Sequence, residues 1–275
     1  MTITGTTSAV EMRALPAATD GALWVSRSEC GLFEFRGSAL RIEVPNSAEV
    51  LFPTDCGLSL LTAIDDAAET VVAGHRVLDV GSGSGLYSIA MLAAGAERVT
   101  AVDVNPASAD VTLANAAANR LDVTRLSCVV ADLAEYVPDD VYDLIVANPP
   151  HLPDSPAYAT KDGLGLALIG GPEGRALYDV IVDRVDDLLA PNGTLLIAHS
   201  SLADVGRTRE LMAARGYDCR IVAIFEMDIP LRVYAEHSKI LLRKLETLRH
   251  RGRAAFKGNR FFVHVLAFRR TAESA

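Results

Sequence analysis

Apolar and polar positions along the chain follow two different patterns. Between residues 21 and 50, the runs LWVSR, GLFEFRG and ALRIEVP mix aromatic and β-branched residues with turn residues, which is typical of short β-strands. From about residue 70 onwards, short apolar runs alternate with segments whose apolar residues recur at helical spacing. Such alternation indicates parallel βαβ units in a sheet that is covered on both faces.

The second pattern predicts seven strands, over 76–80, 98–104, 126–130, 142–147, 194–199, 219–225 and 261–268. It predicts helices between them, over 86–94, from Pro106 onwards, over 175–189 and over 202–215, with Pro191-Asn192-Gly193 ending the third. We therefore predict an α/β fold with a doubly wound, mostly parallel seven-stranded sheet.

The change of pattern divides the chain at about residue 70. Residues 1–69 are predicted to form a β-rich N-terminal extension and a linking helix, which follows the break at Phe52-Pro53-Thr54-Asp55. Residues 70–275 are predicted to form the main domain. A mainly helical insertion at about 231–260 separates its last two strands and ends in the basic loop RHRGRAAFKGNR.

Charge is distributed unevenly along the chain. The net charge is −9, yet residues 232–270 contain 11 lysines and arginines against 2 acidic residues. Two interpretations stay open: the basic stretch contacts an anionic partner, or it is a solvated face on an acidic body. An acidic protein with one basic patch is a poor general nucleic-acid binder.

Composition narrows the class of protein further. Half of the residues are hydrophobic and 22% are charged, as in a packed globular protein. The four cysteines are scattered, no His cluster has zinc spacing, and no apolar run approaches the ~18 residues of a membrane span. The N-terminus also lacks the pattern of a secretory signal. We expect a cytoplasmic protein without disulfides, without a metal site and without a membrane partner.

A glycine-rich turn follows the first strand of the main sheet, with the sequence Asp79-Val80-Gly81-Ser82-Gly83-Ser84-Gly85. We call it the glycine turn. Its glycines allow a ligand to approach the backbone and the amides of the next helix. The spacing differs from the G-x-G-x-x-G of dinucleotide sites, and Asp79 would repel a pyrophosphate but attract a cation. By itself the turn also fits a nicotinamide-cofactor site or tight packing.

Carboxylates follow the next two strands. Asp103 ends the second strand, where it can accept both hydroxyls of a ribose, although it could instead cap the helix that begins near Pro106. That helix could use Asn105 as its cap. Asp132 follows the third strand and could accept from an adenine amine or cap a helix. Together with the glycine turn, these acids point to one ligand site at the carboxyl edge of the sheet.

The fourth strand ends in Asn148-Pro149-Pro150-His151, which we call the NPPH motif. The prolines fix φ and remove two amide donors. The Asn148 side-chain oxygen and the Pro149 carbonyl can therefore form two acceptors in one plane, which suits a planar NH2 group. His151 could stack beside that group, relay its proton or only shape the wall. The alternative is a loop that merely begins with prolines.

These motifs together resemble the class I S-adenosylmethionine-dependent methyltransferases of the N-P-P type, which methylate nitrogens. The segment IGGPEGRALY at 169–178 is similar to the G-G-x-x-G segment of the release-factor glutamine methyltransferases, the HemK-like group. Phe52-Pro53-Thr54-Asp55 lies where that group has a proline and a polar residue near the methionine end of the cofactor. Two features depart from the group: His151 replaces an aromatic residue, and the N-terminal extension is short and β-like.

The resemblance implies a Rossmann-like methyltransferase that uses S-adenosyl-L-methionine. It implies cofactor binding by Thr54, Asp79, Gly81, Gly83, Gly85, Asp103, Asp132 and Asn148. It implies catalytic roles for Asn148, Pro149, Pro150 and His151. Methyl transfer is an in-line displacement that positioning can promote without a metal or a nucleophilic triad.

The sequence constrains the identity of the methyl acceptor less than it constrains the methyl-transfer reaction. The leading hypothesis is a glutamine-like amide of a protein. An exocyclic amine of an RNA or DNA base is an alternative that the basic segment 249–260 favours, and a small molecule of a specialised pathway is another. A non-enzymatic cofactor-sensing module would leave the NPPH motif without a role.

Overall fold

The computed structural model describes residues 29–45, 49–65, 72–155, 163–229, 231 and 237–271. Its strands are β1 (Glu29–Phe35), β2 (Ser38–Val44), β3 (Arg76–Val80), β4 (Arg98–Asp103), β5 (Leu126–Val130), β6 (Tyr142–Ala147), β7 (Leu189–Ser200), β8 (Tyr217–Asp228), β9 (Phe256–Lys257) and β10 (Arg260–Arg270). Its helices are α1 (Asp55–Asp65), α2 (Leu86–Ala93), α3 (Pro106–Ala118), α4 (Gly163–Leu168), α5 (Ala176–Leu188), α6 (Val205–Ala214) and α7 (Ser238–His250), with short 3-10 turns at Val123–Arg125 and Ser201–Ala203. No helix in this part of the chain is long and apolar enough to cross a membrane.

The main sheet has the strand order β5-β4-β3-β6-β7-β10-β8. Strands β3 to β7 run parallel, and β10 is antiparallel to both β7 and β8. The two-residue strand β9 pairs with β10 as an eighth member. The predicted α/β fold is confirmed. The order in which strands are added reverses between β3 and β6, which opens a crevice at their carboxyl ends.

Buried side chains form two clusters that cover opposite faces of the sheet. Neighbouring residues such as Leu144 and Ile145 on β6 contribute to different clusters, because side chains alternate along a strand. The antiparallel β1–β2 hairpin packs Phe35 and Ile42 into the first cluster, together with α1 and α2. Helix α5 covers the second. The β-rich extension is therefore present as a hairpin, and the division at residue 70 stays a prediction.

Two elements differ from the sequence prediction. Strand β7 begins at Leu189, before Pro191-Asn192-Gly193, and not at Thr194. Tyr142 of β6 pairs with Leu189 of β7, and Leu144 pairs with Thr194. The register between the two strands therefore shifts at this point, and the Pro-Asn-Gly residues form an irregularity within β7. Helix α4 was not predicted, because the sequence GLGLAL shows little helical periodicity. The predicted strand LWVSR lies outside the described residues.

Candidate active site

A cavity of about 400 Å³ lies at the carboxyl ends of β3, β4 and β6. This is where the strand order reverses and where ligands bind in open α/β sheets. Predicted site residues that line it are Thr54, Gly81, Gly83, Asp103, Asp132, Asn148 and Pro150. Asp79, Gly85, Pro149 and His151 are not among its described lining residues.

The charge of the cavity limits the ligands it can take. Its described lining contains two carboxylates, Asp103 and Asp132, and no lysine, arginine or histidine. Proteins usually bind phosphates with cations, so the carboxylates disfavour a dinucleotide. A ligand that combines a positive charge with hydroxyl and amine donors suits this lining, as S-adenosyl-L-methionine does.

Asp103 ends β4 and faces both the cavity and the glycine turn. Its Oδ2 accepts a hydrogen bond of 2.8 Å from the Gly83 amide, and its Oδ1 accepts one of 2.8 Å from the Asn105 amide. Burial raises the pKa of Asp103. Because a carboxylate oxygen can accept more than one hydrogen bond, acceptor capacity remains for a ribose diol. Asn105 caps α3 by accepting from Ala107, so Asp103 is not needed for that role.

Asp132 lies at the cavity in the turn after β5. Its Oδ1 accepts a 2.9 Å hydrogen bond from the Ala134 amide, so one oxygen does stabilise a turn. The carboxylate is exposed and stands beside the apolar lining residues Val104 and Leu133. An apolar surface next to an acceptor fits the ring and the amine of an adenine.

Asp79 is fully buried at the start of the glycine turn. Its Oδ2 accepts from the Ser88 amide at 2.9 Å and from the Ser88 hydroxyl at 2.6 Å, whereas its Oδ1 has no partner among the described residues. Burial raises the pKa of Asp79 to about 7, although the bonds from Ser88 oppose that rise. An unpaired buried carboxylate is costly, so a cationic ligand nearby would relieve that cost.

The glycines of the turn have two different functions in the fold. Gly81, Gly83 and Gly85 have positive φ values of 69°, 52° and 79°, which favour glycine. Gly81 and Gly83 shape the turn at the cavity. A Cβ at Gly85 would lie 2.8 Å from the side chain of Thr112, so Gly85 lets α2 begin in close contact with α3.

The residues of the NPPH motif differ in their surroundings: some line the cavity and others are packed in the protein interior. Asn148 is half-buried and lines the cavity, while Pro149 is buried. The His151 ring lies near the Pro149 backbone, and its centroid is 5.6 Å from that of the Phe261 ring. Burial lowers the pKa of His151 to about 4, so the ring is neutral at physiological pH. The ring therefore packs against Phe261 and does not line the cavity.

A second segment supports the NPPH motif from outside. Residues 170–174, which we call the GG segment, run alongside it: the Gly170 amide donates to the Leu152 carbonyl and the Asp154 amide to the Gly171 carbonyl, both at 2.9 Å. A Cβ at Gly170 would lie 2.4 Å from the Pro150 carbonyl oxygen. The resemblance singled out this segment, but sequence reasoning gave no physical reason for its glycines. Tyr87, which also lines the cavity, was missed altogether.

Comparisons with known proteins agree with this geometry. A family model described as ribosomal protein L11 methyltransferase (PrmA) matches residues 54–149. A Methanocaldococcus jannaschii protein named protein N5-glutamine methyltransferase is 30% identical over 192 residues, which cover 70% of this chain and 91% of that protein. Human methyltransferase HEMK2 is 32% identical over 149 residues, covering 53% of this chain and 69% of the relative. The release factor glutamine methyltransferase of Rhodospirillum rubrum is 35% identical over 130 residues, covering 45% and 39%.

Solved structures share the fold. The 16S rRNA N2 G1207 methyltransferase RsmC of T. thermophilus, in complex with AdoMet and guanosine, superposes with a TM-score of 0.55 at 17% identity, covering 92% of this chain and 53% of that one. The ribosomal protein L11 methylase of Lactobacillus delbrueckii subsp. bulgaricus gives a TM-score of 0.50 at 19% identity, covering 81% and 82%. At these identities the likeness shows a Rossmann-like methyltransferase fold.

The predicted enzyme class and cofactor are confirmed by these relatives. S-Adenosyl-L-methionine, when bound, supplies an electrophilic methyl group on a sulfonium. The uncharged and acidic lining of the cavity, the ribose-type acceptor at Asp103 and the unpaired oxygen of Asp79 all fit this donor. Since it aligns with 91% of the M. jannaschii protein at 30% identity, the chain belongs to the family of S-adenosylmethionine-dependent protein N5-glutamine methyltransferases.

Proposed function

We propose that this enzyme methylates the side-chain amide nitrogen of a glutamine in a protein. The observation that carries the proposal is Asn148, which lines the cavity where β6 ends and presents an amide to it. The Asn148 oxygen accepts from the substrate NH2 group and fixes the orientation of its nitrogen. The substrate nitrogen takes the methyl group from the sulfonium, whose methyl–sulfur bond would break to leave a neutral thioether, and the amide releases one proton. His151 takes no part in that release, because its pKa of about 4 makes the ring a weak base and the ring does not line the cavity.

The remaining site residues have roles in holding the donor. Asp103 accepts from the ribose hydroxyls, Asp132 from the adenine amine, and Thr54 lies at the methionine end. Asp79 provides the negative charge that balances a cationic donor. Gly81 and Gly83 add no side chain of their own between the turn and the donor.

Apolar residues close the cavity on the acceptor side. The wall beside Asn148 and Pro150 is lined by Leu166 of α4, by Ile169 just before the GG segment and by Leu177 of α5. They exclude water from the reacting nitrogen. The hydrogen bond from the substrate to Asn148 is stronger in such a medium than in water.

We also propose that the acceptor protein docks on α7 and the basic loop that follows. Lys244 of α7 bonds to Asp154 at 3.0 Å, and Arg253 of the loop pairs with Glu173. These two ion pairs attach the insertion to both segments that flank the NPPH motif. The exposed cations of this surface that have no acidic partner within the described residues are Lys239, Arg243, Arg251 and Lys257. An acidic stretch beside the target glutamine would complement them.

The same basic surface favours a second candidate, a nucleic-acid base amine. The two candidates are separated by incubation with methyl-labelled S-adenosylmethionine and cell extract, followed by fractionation into protein, nucleic acid and small molecules. Recovery of the label as N5-methylglutamine after protein digestion supports the first candidate. Label in nucleic acid or in small molecules overturns it. Asn148→Ala is the background control.

A cytoplasmic location completes the proposal. The four cysteines, Cys30, Cys56, Cys128 and Cys219, are all free thiols. Burial raises the pKa of Cys56 to about 12 and that of Cys128 to about 11, so these thiols are unreactive. Free thiols are usual in a reducing compartment.

A further inference from the structure

Three elements meet behind Asn148 at a single hydroxyl group. Tyr87 lies in the first turn of α2 with its ring buried, and its hydroxyl donates a 2.9 Å hydrogen bond to the carbonyl of Gly57 in α1. The Asn148 side chain, at the end of β6, lies beside the same hydroxyl and opposes the rise that burial causes in the pKa of Tyr87. Tyr87 thus lies between α1 and Asn148, the residue proposed to face the acceptor.

The geometry of this junction distinguishes the two ends of the Asn148 amide. A Cβ at Gly57 would lie 3.5 Å from the Tyr87 hydroxyl and 3.8 Å from Asn148 Nδ2, so the nitrogen end of the amide is on the Tyr87 side. The single hydroxyl proton of Tyr87 is used by Gly57. The Tyr87 oxygen can therefore only accept from Asn148, and an NH2 group is the partner it requires.

We propose that Tyr87 is a positioning residue that holds the Asn148 amide with its oxygen directed to the methyl acceptor. A flipped amide would place its oxygen against the Tyr87 oxygen, which has no proton left to donate. It would also place its NH2 against the NH2 of the substrate, so that two donors would face each other. This inference rests on the proposed function, because only an NH2-bearing acceptor needs that orientation.

The first test is Tyr87→Phe, which keeps the ring and removes the hydroxyl. We expect kcat with a glutamine-containing protein to fall about tenfold, the equivalent of one lost hydrogen bond. The Kd for S-adenosylhomocysteine, measured by calorimetry, should change by less than about twofold, because Asp103, Asp132 and the glycine turn are unchanged. Tyr142→Phe is the matched control. It removes a buried hydroxyl whose one hydrogen-bond partner among the described residues is Tyr136, in the other core cluster, so it should leave kcat unchanged.

The second test reads the orientation without any turnover. The side-chain NH2 resonances of Asn148 in ¹⁵N-labelled protein are assigned by their loss in Asn148→Ala. Their exchange with water should be about tenfold faster in Tyr87→Phe than in the wild type, and unchanged in Tyr142→Phe. A wild type that does not methylate glutamine would overturn the proposed function while leaving this measurement intact. Equal exchange rates in wild type and Tyr87→Phe would overturn the role of Tyr87.

A thermodynamic cycle separates positioning from general stability. On the Asn148→Ala background no amide remains to be oriented, so adding Tyr87→Phe should lower single-turnover rates by less than twofold. If the Tyr87 hydroxyl acts only by stabilising the fold, its removal lowers the single-turnover rate by the same factor in the wild type and in Asn148→Ala. That additive result would overturn the inference.

Discussion

The α-carbon of Gly174 lies so close to the carbonyl oxygen of His151 that a Cβ on it would be only 2.3 Å from that oxygen. The GG segment is thus packed backbone against backbone on the NPPH motif. Gly170 makes the equivalent approach to Pro150. The position of the motif that faces the acceptor therefore depends on two glycines that have no chemistry of their own.

Gly174→Ala should displace the GG segment and impair catalysis. The residue has φ of +73°, so alanine also introduces about 1 kcal/mol of backbone strain. Gly37→Ala is the matched control, because Gly37 has φ of +70° with nothing within 4 Å. Urea titrations should show that the free energy of unfolding falls by about 1 kcal/mol in Gly37→Ala and by about 3 kcal/mol or more in Gly174→Ala. Only Gly174→Ala should also lose methyl-transfer activity. Equal losses in both variants would contradict the close-packing account.

The sequence predicts what depends on local pattern and misses what depends on non-local contact. Apolar runs that end in turn residues predict the ends of the strands that Asp103, Asp132 and Asn148 end or follow. The sequence therefore predicts these residues at the carboxyl edge of the sheet. The GG segment contacts residues some twenty positions earlier in the chain, and such a contact leaves no periodic signal. The placement of His151 behind the motif depends on Phe261, which is more distant still.

Asp79 should make the stability of the protein depend on pH. Its folded pKa of about 7 lies above the ordinary value of 3.8, so between these pH values the folded protein retains a proton that the unfolded chain releases. This group therefore lowers the free energy of unfolding as pH rises from about 4 to 7. Asp79→Asn keeps an acceptor for Ser88 and should remove that slope in melting temperatures recorded from pH 5 to 8. If the melting temperatures of the wild type and of Asp79→Asn depend on pH in the same way, then Asp79 is ionised throughout this pH range.

The same carboxylate should couple donor binding to proton release. A cationic ligand favours ionised Asp79, so the affinity for S-adenosylmethionine should rise from pH 6 to 8 in the wild type and stay level in Asp79→Asn. Calorimetry in buffers of different ionisation enthalpy measures the released proton. If the wild type releases no proton when it binds S-adenosylmethionine, then the ionisation of Asp79 is not coupled to binding of this ligand.

His151 should not contribute to the pH dependence of catalysis. Its pKa of about 4 leaves the ring neutral above pH 5, so kcat between pH 5.5 and 8 should show no ionisation that disappears in His151→Phe. This variant keeps an aromatic ring against Phe261 but loses the ring nitrogens near the Pro149 backbone, and it should retain activity within about tenfold. A wild-type ionisation near pH 6.5 that is lost in His151→Phe would instead identify a proton relay.

Asp103→Asn should weaken cofactor binding without unfolding the protein. Both carboxylate oxygens now accept from backbone amides, and an asparagine would turn one of these acceptors into a donor. The Kd for S-adenosylhomocysteine should rise at least about tenfold, since charge-assisted bonds are each worth about 1.5–3 kcal/mol. Asp122→Asn is the control, because Asp122 also accepts a backbone amide, that of Thr124, but does not line the cavity. Unchanged affinity in Asp103→Asn would remove the ribose assignment.

Asn148 provides the most direct test of the acceptor chemistry. Asn148→Ala removes the oxygen that receives the substrate NH2, so kcat should fall by about two orders of magnitude, or roughly 3 kcal/mol of transition-state positioning. Asn148→Asp keeps an acceptor oxygen and should retain more activity than alanine. If Asn148 instead donates its NH2 to the carboxylate of the cofactor, aspartate would repel that carboxylate and be the worse of the two. Single-turnover rates at saturating cofactor rank the variants, and near-wild-type turnover in Asn148→Ala would exclude a role for this side chain in holding the nitrogen.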